Sequence, residues 1–255
     1  MPTVKDQMGR RVNVPEAPKR IISLVPSQTE LLYDLGLEAE VVGITKFCIH
    51  PQHWRKEKTI VGGTKQVHFD IIESLQPDLI IGNKEENEEG FIQELASNYP
   101  VWMSDITTLN DALDMIECIG ELTQREREAE GIVVDILSVF SELEEPSETK
   151  TAVYLIWKNP YMAVGQETFI SEMLIKSGFE NLVKEARYPE IALEELKEFN
   201  PQVLLLSSEP FPFKEEHVLD FKAKLPDTDV KIVDGEMFSW YGSRLKKSPA
   251  YFKSF

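Results

Sequence analysis

Cysteine is scarce in this chain. Cys48 and Cys118 are the only two in 255 residues, too few for a disulfide framework. Long apolar runs are missing as well, and nothing approaches the ~20 consecutive apolar residues of a membrane-spanning helix. The opening stretch MPTVKDQ lacks the apolar core of an export leader. The chain is therefore expected to be cytoplasmic, or a mature form whose leader has been removed. Basic residues are in deficit: 27 Lys and Arg face 44 Asp and Glu, for a net charge of −17. That excludes a basic nucleic-acid surface and docking on anionic lipid, while leaving room for a positively charged protein partner. Catalytic signatures are absent too. There is no Gly-x-Ser-x-Gly elbow, no phosphate-binding Gly-x-x-x-x-Gly-Lys loop and no Gly-x-Gly-x-x-Gly after a strand. None of the standard catalytic signatures is therefore available to assign a reaction.

What the chain does contain is a repeat. Residues 69–85, FDIIESLQPDLIIGNKE, return as residues 193–209, LEELKEFNPQVLLLSSE. The equivalent prolines Pro77 and Pro201 set an offset of 124 residues (201 − 77). Each copy reads as helix, proline turn, buried strand and polar loop. Strands alternate with helices, which implies mostly parallel sheets. In the first half, residues 20–25, 40–44, 78–81 and 101–103 read as strands. Ser27 and Glu30 have the spacing of a capping box that starts a helix, with Gly36 placed to end it. In the second half, residues 152–156, 202–206 and 230–233 read as strands and residues 169–176 as a helix. Leu109, Ala112, Leu113, Ile116 and Ile119 recur at helical spacing. Thr123 and Glu126 form a second capping-box pattern, and the helix it opens is expected to run to about Glu145, before Pro146. At 1.5 Å per residue, such a helix is roughly 33 Å long. The expected organisation is an N-terminal lobe over 1–108, a helical spine over 109–148 and a C-terminal lobe over 149–255.

Several segments together resemble one family. In the first half these are residues 20–36 (RIISLVPSQTELLYDLG), 42–45 (VGIT), 61–64 (VGGT) and 77–81 (PDLII); in the second, residues 157–161 (WKNPY), 165–171 (GQETFIS) and 239–244 (SWYGSR). Taken in order, they are similar to the helical-backbone metal receptors, the class III substrate-binding proteins of ABC importers, and closest to the cobalamin-binding branch. The resemblance implies an α/β fold of two Rossmann-like lobes with mostly parallel sheets, joined by one long backbone helix. It implies a corrinoid or other metal chelate carried non-covalently in a cleft between the lobes, and delivery to an ABC-importer permease. It also implies a periplasmic or cell-surface location. Acidic residues on both lobes would meet the permease: Glu89 in the first, and Glu209, Glu215 or Glu216 in the second.

Ligands of open α/β sheets gather at the C-terminal ends of strands. That rule selects Pro26, Ser27, Thr29, Lys46, Phe47 and Thr64 in the first lobe. In the second it selects Trp157, Tyr161, Phe211, Trp240 and Tyr241, whose large rings suit a large flat guest. Trp102, inside a strand, reads as core. Cys48, His50 and His53 are weak candidates for a bare metal, since their spacing matches no standard zinc pattern. His68 and His217 carry no assigned role. Two other functions stay open: a cytoplasmic carrier, store or sensor of the same ligand class, and a chelatase-like enzyme built on Cys48, His50 and His53.

Overall fold

The computed structural model describes residues 2–144 and 148–254. The chain divides into two compact units. The first takes in the described residues up to Ile106, together with Asn110–Ser138 and Tyr241–Lys246. The second takes in Thr107–Leu109, the described residues of Val139–Trp240, and those from Lys247 onward.

The first unit opens with a hairpin of β1 (Thr3–Lys5) and β2 (Arg11–Asn13), paired antiparallel. Its sheet is built from β3 (Ile21–Ser23), β4 (Val41–Ile44), β5 (Thr59–Ile60), β6 (Leu79–Asn83) and β7 (Val101–Ser104). The strand order is β5-β4-β3-β6-β7, with every pairing parallel. Helices α1 (Pro26–Asp34), α2 (Trp54–Glu57), α3 (Phe69–Leu75) and α4 (Glu89–Ala96) connect these strands. Ile21, Ile22, Ile80 and Ile81 are fully buried, as expected where helices cover both faces of a parallel sheet. Each such side chain contributes about 1.5–3 kcal/mol on removal from water. Trp102 is buried in β7, as expected for a core residue.

Helical sequence follows as α5 (Leu109–Thr123) and α6 (Glu126–Ser141). Within α6 the chain passes from the first unit to the second, between Ser138 and Val139. The second capping-box reading is corrected here. Thr123 is the last residue of α5, and its hydroxyl donates back to the Ile119 carbonyl at 2.7 Å. Gln124 then turns left-handed at φ +56°, and the Arg125 amide reaches the Gly120 carbonyl at 2.7 Å. This is the closure that ends a helix rather than starts one. The expected helix length is corrected as well: α6 stops at Ser141, ahead of the expected end near Glu145, so its 16 residues span about 24 Å and not 33 Å, while Glu145 and Pro146 themselves lie outside the described residues.

The second unit contains β8 (Lys150–Trp157), β9 (Tyr161–Ala163), α7 (Phe169–Lys176), β10 (Phe179–Asn181), β11 (Glu190–Ile191), α8 (Leu193–Phe199), β12 (Val203–Ser207), α9 (Glu215–Lys224), β13 (Asp229–Val233), α10 (Glu236–Ser239) and α11 (Ser248–Phe252). Strands β10, β12 and β13 join β8 in a parallel sheet, and β9 and β11 add antiparallel edges. Among the described residues, no helix is long and apolar enough to cross a membrane.

The repeat is visible down to single hydrogen bonds. Helix α3 and strand β6 recur as α8 and β12 at the same 124-residue offset (193 − 69 and 203 − 79). Gln76 ends α3 in the left-handed region at φ 45°, and Asn200 ends α8 at φ 44°. The residue after each proline then clamps the start of a strand that pairs with the repeated one, β3 in the first unit and β8 in the second. Asp78 accepts from the Lys19 and Arg20 amides at 2.8 Å each, and Gln202 Oε1 accepts from the Thr151 amide at 2.9 Å.

The first capping-box reading is also corrected. Helix α1 begins at Pro26, whose missing N–H costs nothing at the first helical position, and no side chain caps it. Glu30 faces elsewhere. Its carboxylate accepts two bonds from Arg244, at 2.7 and 2.8 Å, with side-chain exposures of 10% and 7%. Arg244 lies in the Tyr241–Lys246 segment, which returns to the first unit. Gly242 makes that return possible. Its φ is +117°, and a Cβ there would sit 3.3 Å from the Ser27 carbonyl oxygen.

Candidate functional site

In the first unit, the C-terminal strand ends are tied together by two buried asparagines. Asn83 ends β6, and its side-chain oxygen accepts from the Glu85 and Glu86 amides at 2.8 and 3.1 Å. Its amide group donates to Ser104 at the end of β7. Asn87 accepts from the Asn83 amide at 2.9 Å and donates to the Thr64 carbonyl at 2.9 Å. The loops after β5, β6 and β7 are thereby held in one arrangement. Asn83 and Asn87 are 2% and 4% exposed. Polar groups buried to that degree are costly unless fully bonded. Sequence reasoning passed over both residues, although Asn in a loop directly after a buried strand was a usable signal.

On this base the loops after β4 and β5 present Lys46, Phe47, Thr64 and Lys65. Phe47 is 49% exposed, with the Lys46 ammonium 5.0 Å from its ring centroid. Gly63 lies beneath that ring: a Cβ there would come within 3.1 Å of Phe47 Cε2. Lys65 donates to the Glu85 carbonyl at 2.8 Å. Pro26 is half-buried at the start of α1, and Ser27 is buried. Thr29 is corrected from ligand contact to support. It is fully buried, and its hydroxyl is 2.8 Å from Ser23 Oγ, 2.9 Å from the Val25 carbonyl oxygen and 3.0 Å from Cys48 Sγ.

The Cys48, His50 and His53 set does not converge. Cys48 is fully buried against Thr29 and Thr45, and burial pushes its thiol above the usual value. Metals bind thiolate, which this environment opposes. His50 is half-buried and His53 exposed. His53 instead pairs with Glu38, its Nε2 lying 3.1 Å from the carboxylate. Two surface depressions in the first unit are lined by residues such as Asp6, Asp114 and Cys118, or Arg10, Asn98 and Tyr99. Neither holds any residue of the strand-end set.

In the second unit, Trp157 ends β8 at 39% exposure and meets Phe211 edge to face at 5.7 Å. Phe211 packs in turn on Phe213 at 4.8 Å and on His217 at 5.5 Å. His217 Nδ1 accepts from the Lys214 amide at 2.9 Å, which locks the start of α9. His217 thus belongs to the aromatic cluster, a role its sequence context did not signal. Tyr161 is half-buried against Phe221 in the core below.

Trp240 and Tyr241 part company. Trp240 is 6% exposed in the second unit, and its indole donates to Glu209 Oε1 at 2.9 Å. Tyr241, expected in the second lobe, is the first residue of the segment that belongs to the first unit. Glu209 is corrected as a docking residue. The same carboxylate oxygen also accepts from the Ser239 hydroxyl at 2.8 Å. Burial raises its pKa, against the pull of those two bonds, and Glu236 and Asp234 raise it further. Glu215 and Glu216 are exposed in the first turn of α9. Glu89 is the first residue of α4, exposed, and accepts from Gln93 at 2.7 Å. Glu89 and Glu215 therefore hold equivalent places, each opening the helix that follows its unit's repeated strand.

Comparison with known proteins places this geometry in context. A family model described as "Periplasmic binding protein" matches residues 21–228. An uncharacterised ABC transporter substrate-binding lipoprotein of Bacillus subtilis is 28% identical over 183 residues, covering 68% of this chain and 58% of its own length. A vitamin B12-binding protein of Pectobacterium carotovorum is 24% identical over 236 residues, covering 89% and 84%. The solved periplasmic heme-binding protein of Vibrio cholerae shares the fold at TM-score 0.78 and 20% identity, over 92% of this chain and 97% of that one.

Proposed function

Because the chain belongs to the periplasmic binding protein family, we propose that it is the substrate-binding component of an ABC importer. It captures a corrinoid or related metal chelate outside the cytoplasmic membrane and hands it to a permease. It is a binding protein and not an enzyme, as are its relatives. The observation that carries the ligand class is the exposed Trp157 ring braced by Phe211 at the end of β8. An aromatic held open at a strand end, in a chain this poor in exposed tryptophan, is a preformed contact for a flat apolar guest. Within the first unit, Phe47, with Lys46 over its ring, is likewise exposed just after a strand end. The corrinoid assignment is supported by the vitamin B12-binding relative; heme is the second reading, supported by the Vibrio cholerae structure.

The test is a fluorescence titration of the purified protein with cyanocobalamin, hemin and a ferric hydroxamate. One of the three is expected to quench tryptophan emission saturably, at one ligand per chain. Trp157→Ala is expected to weaken that ligand by on the order of 10–100-fold, the loss typical of a central aromatic anchor. Absence of saturable binding to all three refutes the assignment.

A further inference from the structure

We propose that Glu38, His53 and Glu57 form a surface site for a divalent transition-metal ion of the Zn²⁺ and Cu²⁺ class. The site lies in the first unit and is separate from the strand-end residues above. The two differ in position: Glu38 precedes β4 and Glu57 precedes β5, so the three donors lie at the N-terminal edge of the sheet. Lys46, Phe47 and Thr64 follow those same strands at the C-terminal edge. The inference therefore stands whether or not the chelate reading holds.

The geometry is as follows. One ligand atom from each of the three residues lies within 4.8 Å of the others, and no other such group occurs among the described residues. His53 Nε2 and Glu38 Oε1 are 3.1 Å apart. Two donors each about 2.1 Å from one ion are separated by roughly 3.0 Å at an octahedral angle and 3.4 Å at a tetrahedral one. That hydrogen-bonded pair is thus at a separation that two ligands of one ion could keep. Glu57 lies four residues after His53, one helical turn on and along the same face, so its long side chain joins by rotation alone. All three residues are exposed, which leaves the remaining coordination positions to water.

The donors are also held from behind. Trp54, between His53 and Glu57 in sequence, is fully buried, and its indole N–H points to Glu38 Oε1 at 3.4 Å. The Tyr33 ring meets His53 at 5.6 Å and Trp54 at 5.5 Å, edge-on to both. Lys58 donates to the Glu38 carbonyl and lies over the Trp54 ring. An imidazole with two carboxylates and no thiolate favours borderline divalent ions over soft Cu⁺, and the imidazole favours them over Mg²⁺ or Ca²⁺. An ion at Nε2 takes the place of that nitrogen's proton, which shifts to Nδ1 of the neutral ring or is released from the imidazolium. The ion thus replaces the hydrogen bond to Glu38 with shared coordination.

The experiment is calorimetric titration of the full chain with Zn²⁺ alone, at pH 7.5, with Mg²⁺ as the parallel ion. One Zn²⁺ per chain is expected, with no comparable heat from Mg²⁺. His53→Gln and Glu57→Gln should each weaken binding by at least about tenfold, a loss that even outer-shell changes produce at metal sites. His50→Gln should leave it unchanged. In parallel, Cu²⁺ should quench part of the tryptophan emission through Trp54, and His53→Gln should abolish that quenching. Both exposed substitutions should leave the metal-free melting temperature in place, which separates lost coordination from lost fold. Absence of one-to-one binding, equal heats from Mg²⁺, or full affinity in His53→Gln overturns the site.

Discussion

Replacing Arg244 by methionine removes one partner of a nearly dry ion pair and leaves Glu30 charged at 10% exposure. The two bonds at 2.7 and 2.8 Å are bidentate, the strongest geometry open to a guanidinium and a carboxylate. Breaking such a pair from one side costs about 3–5 kcal/mol, because an uncompensated charge stays behind. For a chain of this size that is a fall in melting temperature of roughly 6–20 °C. Glu30→Met should cost a similar amount. The double variant Glu30→Met/Arg244→Met should recover most of the loss, since an apolar pair of similar volume is often neutral or better. Urea denaturation followed by tryptophan emission reads this directly, as Trp54 and Trp102 are both buried in the first unit. A single-variant cost below about 1 kcal/mol, the range of exposed pairs, would refute the reasoning. So would a double variant no more stable than the sum of its singles.

Two further outcomes follow from the second unit and from the equivalent helix starts. Glu209 has a raised folded pKa, so its stabilising contribution is full below its unfolded value of about 4.5 and is lost as pH rises through the folded value. Glu209→Gln, which still accepts from Ser239 and Trp240, should flatten stability between pH 4.5 and neutrality and be no less stable than wild type at pH 7, measured by denaturant midpoint. Glu89→Arg and Glu215→Arg should each abolish chelate uptake in a reconstituted transporter while leaving ligand affinity unchanged; a fall in affinity would assign those carboxylates to the binding surface instead.

The architecture was legible wherever the determinants were local. The repeated proline fixed the offset at which α8 and β12 copy α3 and β6, and the left-handed caps Gln76 and Asn200 fall directly before those prolines. Helix α7 runs over the expected residues 169–176, and Gly178 follows it at φ 89°. Two of the misreadings have a partner far along the chain, whereas Thr123 was decided locally, by closure of α5 onto Ile119 and Gly120. Ser27 and Glu30 match a capping box at four-residue range, yet Glu30 is claimed by an arginine 214 residues away. Glu209 reads as a surface carboxylate until Ser239 and Trp240, about 30 residues later, fold onto it. Cys48 sits in a polar loop by sequence, but its thiol turns inward to Thr29. His217 joined the aromatic cluster because the Phe211 loop packs back on α9, a tertiary contact that spacing does not encode.

The six residues from Tyr241 to Lys246 have an evolutionary and practical corollary. A gene made by doubling one module would be expected to split cleanly back into two. Here a segment 214 residues downstream supplies Arg244 to the first unit, so a fragment ending before Tyr241 would lack the guanidinium that Glu30 binds, and the remaining fragment would carry that arginine away from its carboxylate. A split at the repeat boundary is therefore expected to leave the first-unit fragment less stable than the same residues in the full chain.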